Sequence, residues 1–163
     1  MNSLLFGGAQ SVGKTETIFR LTNYLLSKGF VDVLSTVPAV PIPPAKVPDY
    51  KAILKGTNKL GQAIKIIINS ATDTPGLIWD FKNVYDTNGS HFDILISSVR
   101  DGHHWPRAEF FSIMGLNPAS PNNIEIPLAR ITRRAHFDKA LNWYEEKLDL
   151  LAQHTLSNAP FNI

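Results

Sequence analysis

The amino-acid sequence predicts a three-layer α/β/α domain, a mostly parallel central sheet with helices on both faces. Three observations carry that expectation. Short apolar runs of strand length alternate with helical patterns along the chain, as βα units require. A glycine-rich turn, Gly8 to Thr15, joins the first such run to the first helix. The final segment, residues 136 to 154, keeps one apolar stripe at helical spacing, so it covers the sheet. At 163 residues the whole chain, 1-163, fits a single domain with a sizeable core.

Taken in order, Ser3 to Phe6 is a buried strand, and Glu16 to Lys28 a helix whose face is Ile18, Leu21, Tyr24 and Leu25. Gly29 stops it, and Phe30 to Leu34 reads as the next strand, with Ser35 and Thr36 at its ligand-facing end. Pro38 to Pro48 contains Pro38, Pro41, Pro43, Pro44 and Pro48, and so forms neither helix nor interior strand. It is either a stiff surface connector or, as a polyproline II segment, a protein-partner loop beside the ligand. Tyr50 to Leu54 and Ala63 to Asn69 make one antiparallel hairpin, the second arm dense in isoleucine and buried near the sheet centre. Pro75 to Val84 is a helix, Phe92 to Val99 a parallel strand, Ala108 to Met114 a short helix with Phe110, Phe111 and Met114 inward, and Ile124 to Leu128 the last strand. Phe137, Ala140, Leu141, Tyr144, Leu148 and Leu151 give the inward stripe of the final helix.

The chemistry concentrates in Gly8-Ala9-Gln10-Ser11-Val12-Gly13-Lys14-Thr15, which fits G-x-x-x-x-G-K-[ST] at every specified position, between a strand and a helix. A triphosphate must be met closely by many donors. Glycines at both ends let consecutive N–H groups turn inward at a helix N-terminus, and Lys14 adds a point charge for the β- and γ-phosphates. The Thr15 hydroxyl suits Mg²⁺, which takes few protein ligands. By this loop the chain resembles the P-loop NTPase superfamily. That resemblance implies binding of ATP or GTP with Mg²⁺ along Gly8 to Glu16, and hydrolysis or phosphoryl transfer. Asp73 to Gly76, D-T-P-G, resembles the D-x-x-G switch element of GTPases, which would make Asp73 a metal- or water-orienting residue beside Thr15. Asn69 to Thr72 separate it from its strand, and the same four residues also make a good turn that caps a helix.

Arg100 to Arg107, after a strand, adds Arg100, Asp101, His103, His104, Trp105 and Arg107 at the expected ligand edge. Lys14, Asp73 and Arg100 are the candidate catalytic residues, with Arg100 or Arg107 neutralising charge on a phosphoryl group. The adjacent histidines point apart on an extended chain and read as a surface pair, and Trp105 as a partly packed side chain. Arg130, Arg133 and Arg134 bring further cations to the same edge as phosphate contacts, a partner surface or a solvated patch. The absence of cysteine removes disulfides and thiolate chemistry and suits a cytoplasmic protein. A net charge of +2 does not indicate nucleic acid, and no membrane segment is expected. Three function classes fit: a nucleoside triphosphatase acting as a switch, a small-molecule or nucleotide kinase, and a non-catalytic nucleotide-binding module.

Overall fold

In a computed structural model, residues 1–41, 46–102, 104–131 and 138–163 are described. The chain runs β1 (Asn2–Gly8), α1 (Lys14–Ser27), β2 (Val31–Asp32), β3 (Lys51–Thr57), β4 (Ala63–Asn69), α2 (Pro75–Thr87), β5 (Ile94–Arg100), α3 (Trp105–Met114), β6 (Asn123–Pro127) and α4 (Asp138–Ser157). The strands form one sheet in the order β2-β3-β4-β5-β1-β6. β4, β5, β1 and β6 are mutually parallel, while β3 pairs antiparallel with both β2 and β4. Among the described strands only β3 therefore runs against the rest. The expected hairpin is present as β3 and β4.

Side chains that alternate along each strand separate into two cores. Leu4, Phe6, Ile64, Ile66, Ile68, Ile94 and Ile96 face α1 and α4. Leu5, Ile53, Ile67, Leu95 and Val99 face α2 and α3. Strands buried on both faces explain why β1, β4 and β5 read as nearly continuous apolar runs. On α1 the buried line is Ile18, Leu21 and Leu25, as the spacing predicts, joined by Phe19. On α3 it is Phe110, Phe111 and Met114.

Two elements differ from expectation. The strand foreseen at Phe30 to Leu34 shortens to Val31–Asp32, because the Asp32 carboxylate turns the chain by accepting from the N–H groups of Leu34, Thr36 and Val37 at 3.1, 2.7 and 2.9 Å. Val31 and Val33 are left exposed. On α4 the buried line is Leu148, Ala152 and Leu156, while Ala140 is exposed and Leu151 lies half exposed on the flank of that line. A spacing of four residues drifts across the helix surface, so a stripe begun at Leu148 passes through Ala152 and misses Leu151. Phe137 lies outside the described residues. Phe161 and Ile163 return to the α4-side core, which the sequence reading left out.

Both cores are closely packed, so truncation is costly. Phe81→Ala, at a fully buried α2 position, is expected to lower unfolding free energy by about 3–5 kcal/mol. Urea denaturation followed by circular dichroism measures it.

Candidate functional site

The site lies where the parallel strands end. β1 delivers Gly8, and β5 delivers Arg100 as the register partner of Gly8. β3 is antiparallel, so its entry point, Asp49 and Tyr50, reaches the same edge.

Between β1 and α1 the backbone makes the turn the glycine pattern implies. Gly13 is left-handed, at φ 87° and ψ 21°, and Ser11 has φ 61°. A side chain at Gly13 would strain that conformation. No side chain caps α1, whose first helical bond runs from the Thr17 N–H to the Gly13 carbonyl at 2.9 Å. α2, by contrast, begins with Thr74 accepting from the Leu77 N–H at 3.3 Å and Pro75 in the first turn. The D-T-P-G stretch is thus a helix cap in fact, made by Thr74, and Asp73 is left to point elsewhere. The uncapped N–H groups of α1 open on a cavity of about 710 Å³ lined by Gln10 to Thr17, Ser70, Asp73, Ala129, Arg130 and Tyr144, among others. A volume of that order holds a nucleotide-sized ligand. Lys46 and Val47, from the proline-rich passage, also line it.

Lys14 is buried, and its ammonium donates to the carbonyls of Gly8 and Ala9 at 2.9 and 2.7 Å. Burial pulls its pKa down, Asp73 opposes that, and Arg100 adds to the lowering. Asp73, Arg100, Asp101 and Asp49 all act on this one charge. Arg100 donates from Nη1 to Asp73 Oδ1 at 3.2 Å, while its buried Nε has no partner among the described residues. The three predicted catalytic residues are therefore brought together.

The Thr15 hydroxyl donates to Asp49 Oδ1 at 2.8 Å and lies 3.4 Å from the Ser70 carbonyl. Asp49 was missed by the sequence reading. It is placed by Tyr50, which exchanges hydrogen bonds with Ser70, its N–H to Ser70 Oγ at 2.8 Å and its carbonyl from the Ser70 N–H at 3.0 Å. The Tyr50 hydroxyl meets Thr22 Oγ1 at 2.7 Å inside the core, where burial pushes its pKa up. The available signal was an acid at the mouth of a strand whose antiparallel sense sends that mouth to the edge where β1 meets α1. Asp73, expected to share the metal with Thr15, is held by Arg100 instead.

Arg107 is not free for a phosphate. It grips Glu125 with two nitrogens, at 2.9 and 2.7 Å, and donates to the Arg100 carbonyl at 3.1 Å. The hydrogen bond to Glu125 is the main reason its pKa is raised. The Glu125 carboxylate lies against Gly7, where a Cβ would overlap Oε1. His104 and Trp105 are exposed, against the packing expected of Trp105. His103, Arg133, Arg134, Pro43 and Pro44 lie outside the described residues.

Among the described residues there is no group of three or more histidine, cysteine or acidic side chains arranged to hold a metal, and no helix long and apolar enough to cross a membrane. The donors around Thr15 are nonetheless hard oxygens: one hydroxyl and the Asp49 carboxylate, with Asp73 on the cavity wall. That set fits Mg²⁺ bound chiefly through phosphate and water. No protein-family model matches the chain, and neither a curated protein nor a solved structure matches it.

The contact at Gly7 gives a direct test. Gly7→Ala is expected to destabilise by about 1–3 kcal/mol through overpacking. In the Gly7→Ala, Glu125→Ala double variant the two costs should fall short of their sum, as a double-mutant cycle in urea would read.

Proposed function

We propose that the chain binds ATP or GTP with Mg²⁺ in the 710 Å³ cavity and hydrolyses the γ-phosphate. The observation that carries this reading is the pairing of an uncapped helix N-terminus with a buried lysine whose hydrogen-bond partners, among the described residues, are backbone carbonyls alone. Such an arrangement suits a ligand of high negative charge.

The N–H groups of the loop receive the phosphates, and Lys14 turns from the Gly8 and Ala9 carbonyls to the β- and γ-oxygens. An anion there offsets the burial that depresses the Lys14 pKa. Thr15, Asp49 and Asp73 are the residues that would hold the metal, whose positive charge favours phosphoryl transfer by neutralising charge on the phosphate oxygens. Arg100 exchanges its Asp73 partner for a γ-phosphate oxygen, and Asp73, released, orients the attacking water. The ion pair is thus a contact whose partner depends on the third phosphate, which is the basis of a nucleotide switch.

Titration calorimetry with Mg²⁺ and ATP, GTP and each diphosphate tests the binding. The wild type should bind a triphosphate, and Lys14→Ala should bind it at least about tenfold more weakly, the loss of a charged hydrogen-bonding group. Equal affinity in the two proteins would overturn the reading.

For the chemical step, Arg100→Ala is expected to lower kcat by roughly 10³ and also to weaken triphosphate binding, since its γ-phosphate contact is made in the bound state and strengthens as charge develops. Phosphate release measured at saturating nucleotide reads this out. An unchanged kcat would remove Arg100 from the mechanism.

A further inference from the structure

The 710 Å³ cavity is walled on one side by the loop that opens α1 and on another by α4 and the segment that follows β6. On α4, Leu141, Tyr144, Glu145 and Leu148 line it, a spacing that puts them on one face of the helix. Ala129 and Arg130 line it from the segment after β6, which is fastened twice: the Leu128 N–H donates to the Gly7 carbonyl at 2.7 Å, and the Ala129 N–H to the Tyr144 hydroxyl at 2.8 Å. β1 and β6 are parallel neighbours, so the helices that follow them start from the same edge. Lower down, Arg20 of α1 meets Asp149 of α4 at 2.7 Å. One turn back along each helix, about 6 Å nearer the loop, stand Glu16 and Glu145, and both line the cavity. Glu145 is therefore a helix-to-helix spacing, about 8–10 Å, from the loop that would hold phosphate.

The loop N–H groups and Lys14 serve phosphates, and none of them reads a base. A base carried on a ribose crosses the space between the two helices and arrives at α4. There Leu141, Tyr144 and Leu148 offer apolar surface to the face of a flat ring, and Glu145 offers a carboxylate to its edge. An ionised carboxylate only accepts hydrogen bonds, through two oxygens side by side. Guanine alone among the four bases of RNA presents two neighbouring N–H donors on one edge, N1–H and the 2-amino group. Adenine and cytosine present an amino group beside a ring-nitrogen lone pair, which a carboxylate repels. Arg130 supplies the opposite charge, and a guanidinium pairs with the O6 and N7 acceptors of guanine, where adenine carries an amino donor at C6. Among the described residues, neither Glu145 nor Arg130 is engaged in a hydrogen bond or ion pair through its side chain. We propose that the base bound here is guanine and that Glu145 selects it, accepting from N1–H and the 2-amino group. This assignment rests on the triphosphate reading above and names the base of that ligand.

Calorimetry with Mg²⁺ and GTP, inosine triphosphate, ATP and CTP tests it. Inosine triphosphate is GTP without the 2-amino group, so it keeps one of the two donors. The wild type should bind GTP at least about a hundredfold more tightly than ATP or CTP. It should bind inosine triphosphate about tenfold more weakly than GTP, the loss of one charged hydrogen bond. That comparison is made within one protein and does not depend on the folding of a variant. Glu145→Ala, at a partly exposed helical position where alanine is well tolerated, should weaken GTP and close the gap between GTP and inosine triphosphate. Arg130→Ala should weaken both and leave their gap as it is. Equal wild-type affinity for GTP and inosine triphosphate, tighter binding of ATP than of GTP, or a gap that survives Glu145→Ala would overturn the guanine assignment while leaving the triphosphate reading standing. Binding of none of the four would overturn both.

Discussion

A charged amine buried where, among the described residues, carbonyl oxygens alone receive it is the constraint on which the rest of this site depends. Lys14 cannot reach Gly8 and Ala9 unless the chain reverses tightly after β1, and that reversal needs the left-handed Gly13. The same reversal leaves the first turn of α1 without a side-chain cap. Positive charge is thus gathered in one small volume before any ligand arrives. The fold tolerates it because Asp73 opposes the cost of burial, and Arg100, which adds to that cost, is itself balanced by Asp73. Removing Asp73 from such a set would leave Lys14 and Arg100 less well balanced at the end of β1.

Around that centre the sheet acts as a jig. The pairing of Gly8 with Arg100 fixes the arginine beside the loop, and Arg107 steadies the end of β5 by holding its last carbonyl while gripping Glu125 on β6. Two strands, β5 and β6, are tied by these charged hydrogen bonds, and β1 between them is held by backbone pairing. On the other side, Tyr50 links the entry of β3 to Thr22 in α1 and to Ser70 beyond β4, so Asp49 is set over Thr15 by contacts in the core. The two halves of the site are therefore positioned by separate devices, one polar and partly exposed, the other buried.

Much of this was legible in the sequence, and unevenly so. The loop, its lysine and its threonine follow from a pattern whose spacing is dictated by backbone geometry. The β3 and β4 hairpin and the inward faces of α1 and α3 follow from periodicity. Asp49 did not, because its position depends on the sense of β3 in the sheet, a long-range fact that no local pattern carries. Arg107 was legible as a cation at the right edge, but its commitment to Glu125 depends on β6 lying next to β1. The shortened β2 turns on one side chain: Asp32 competes for three backbone N–H groups that a longer strand would have used in pairing. The α4 stripe slipped by one residue for a geometric reason, since three- and four-residue steps can be continued along more than one line.

The brevity of β2 has a bearing on how the molecule meets its own copies. A sheet border with a long row of unpaired amides is a template on which another chain can add a strand. Here one border stops after Val31–Asp32, with Asp32 consuming the amides that follow, and the opposite border is the five-residue β6, which ends in Pro127. Among the described residues neither margin offers a ladder long enough to be extended. The exposed Val31 and Val33 are thereby separated from the backbone groups that would make them adhesive.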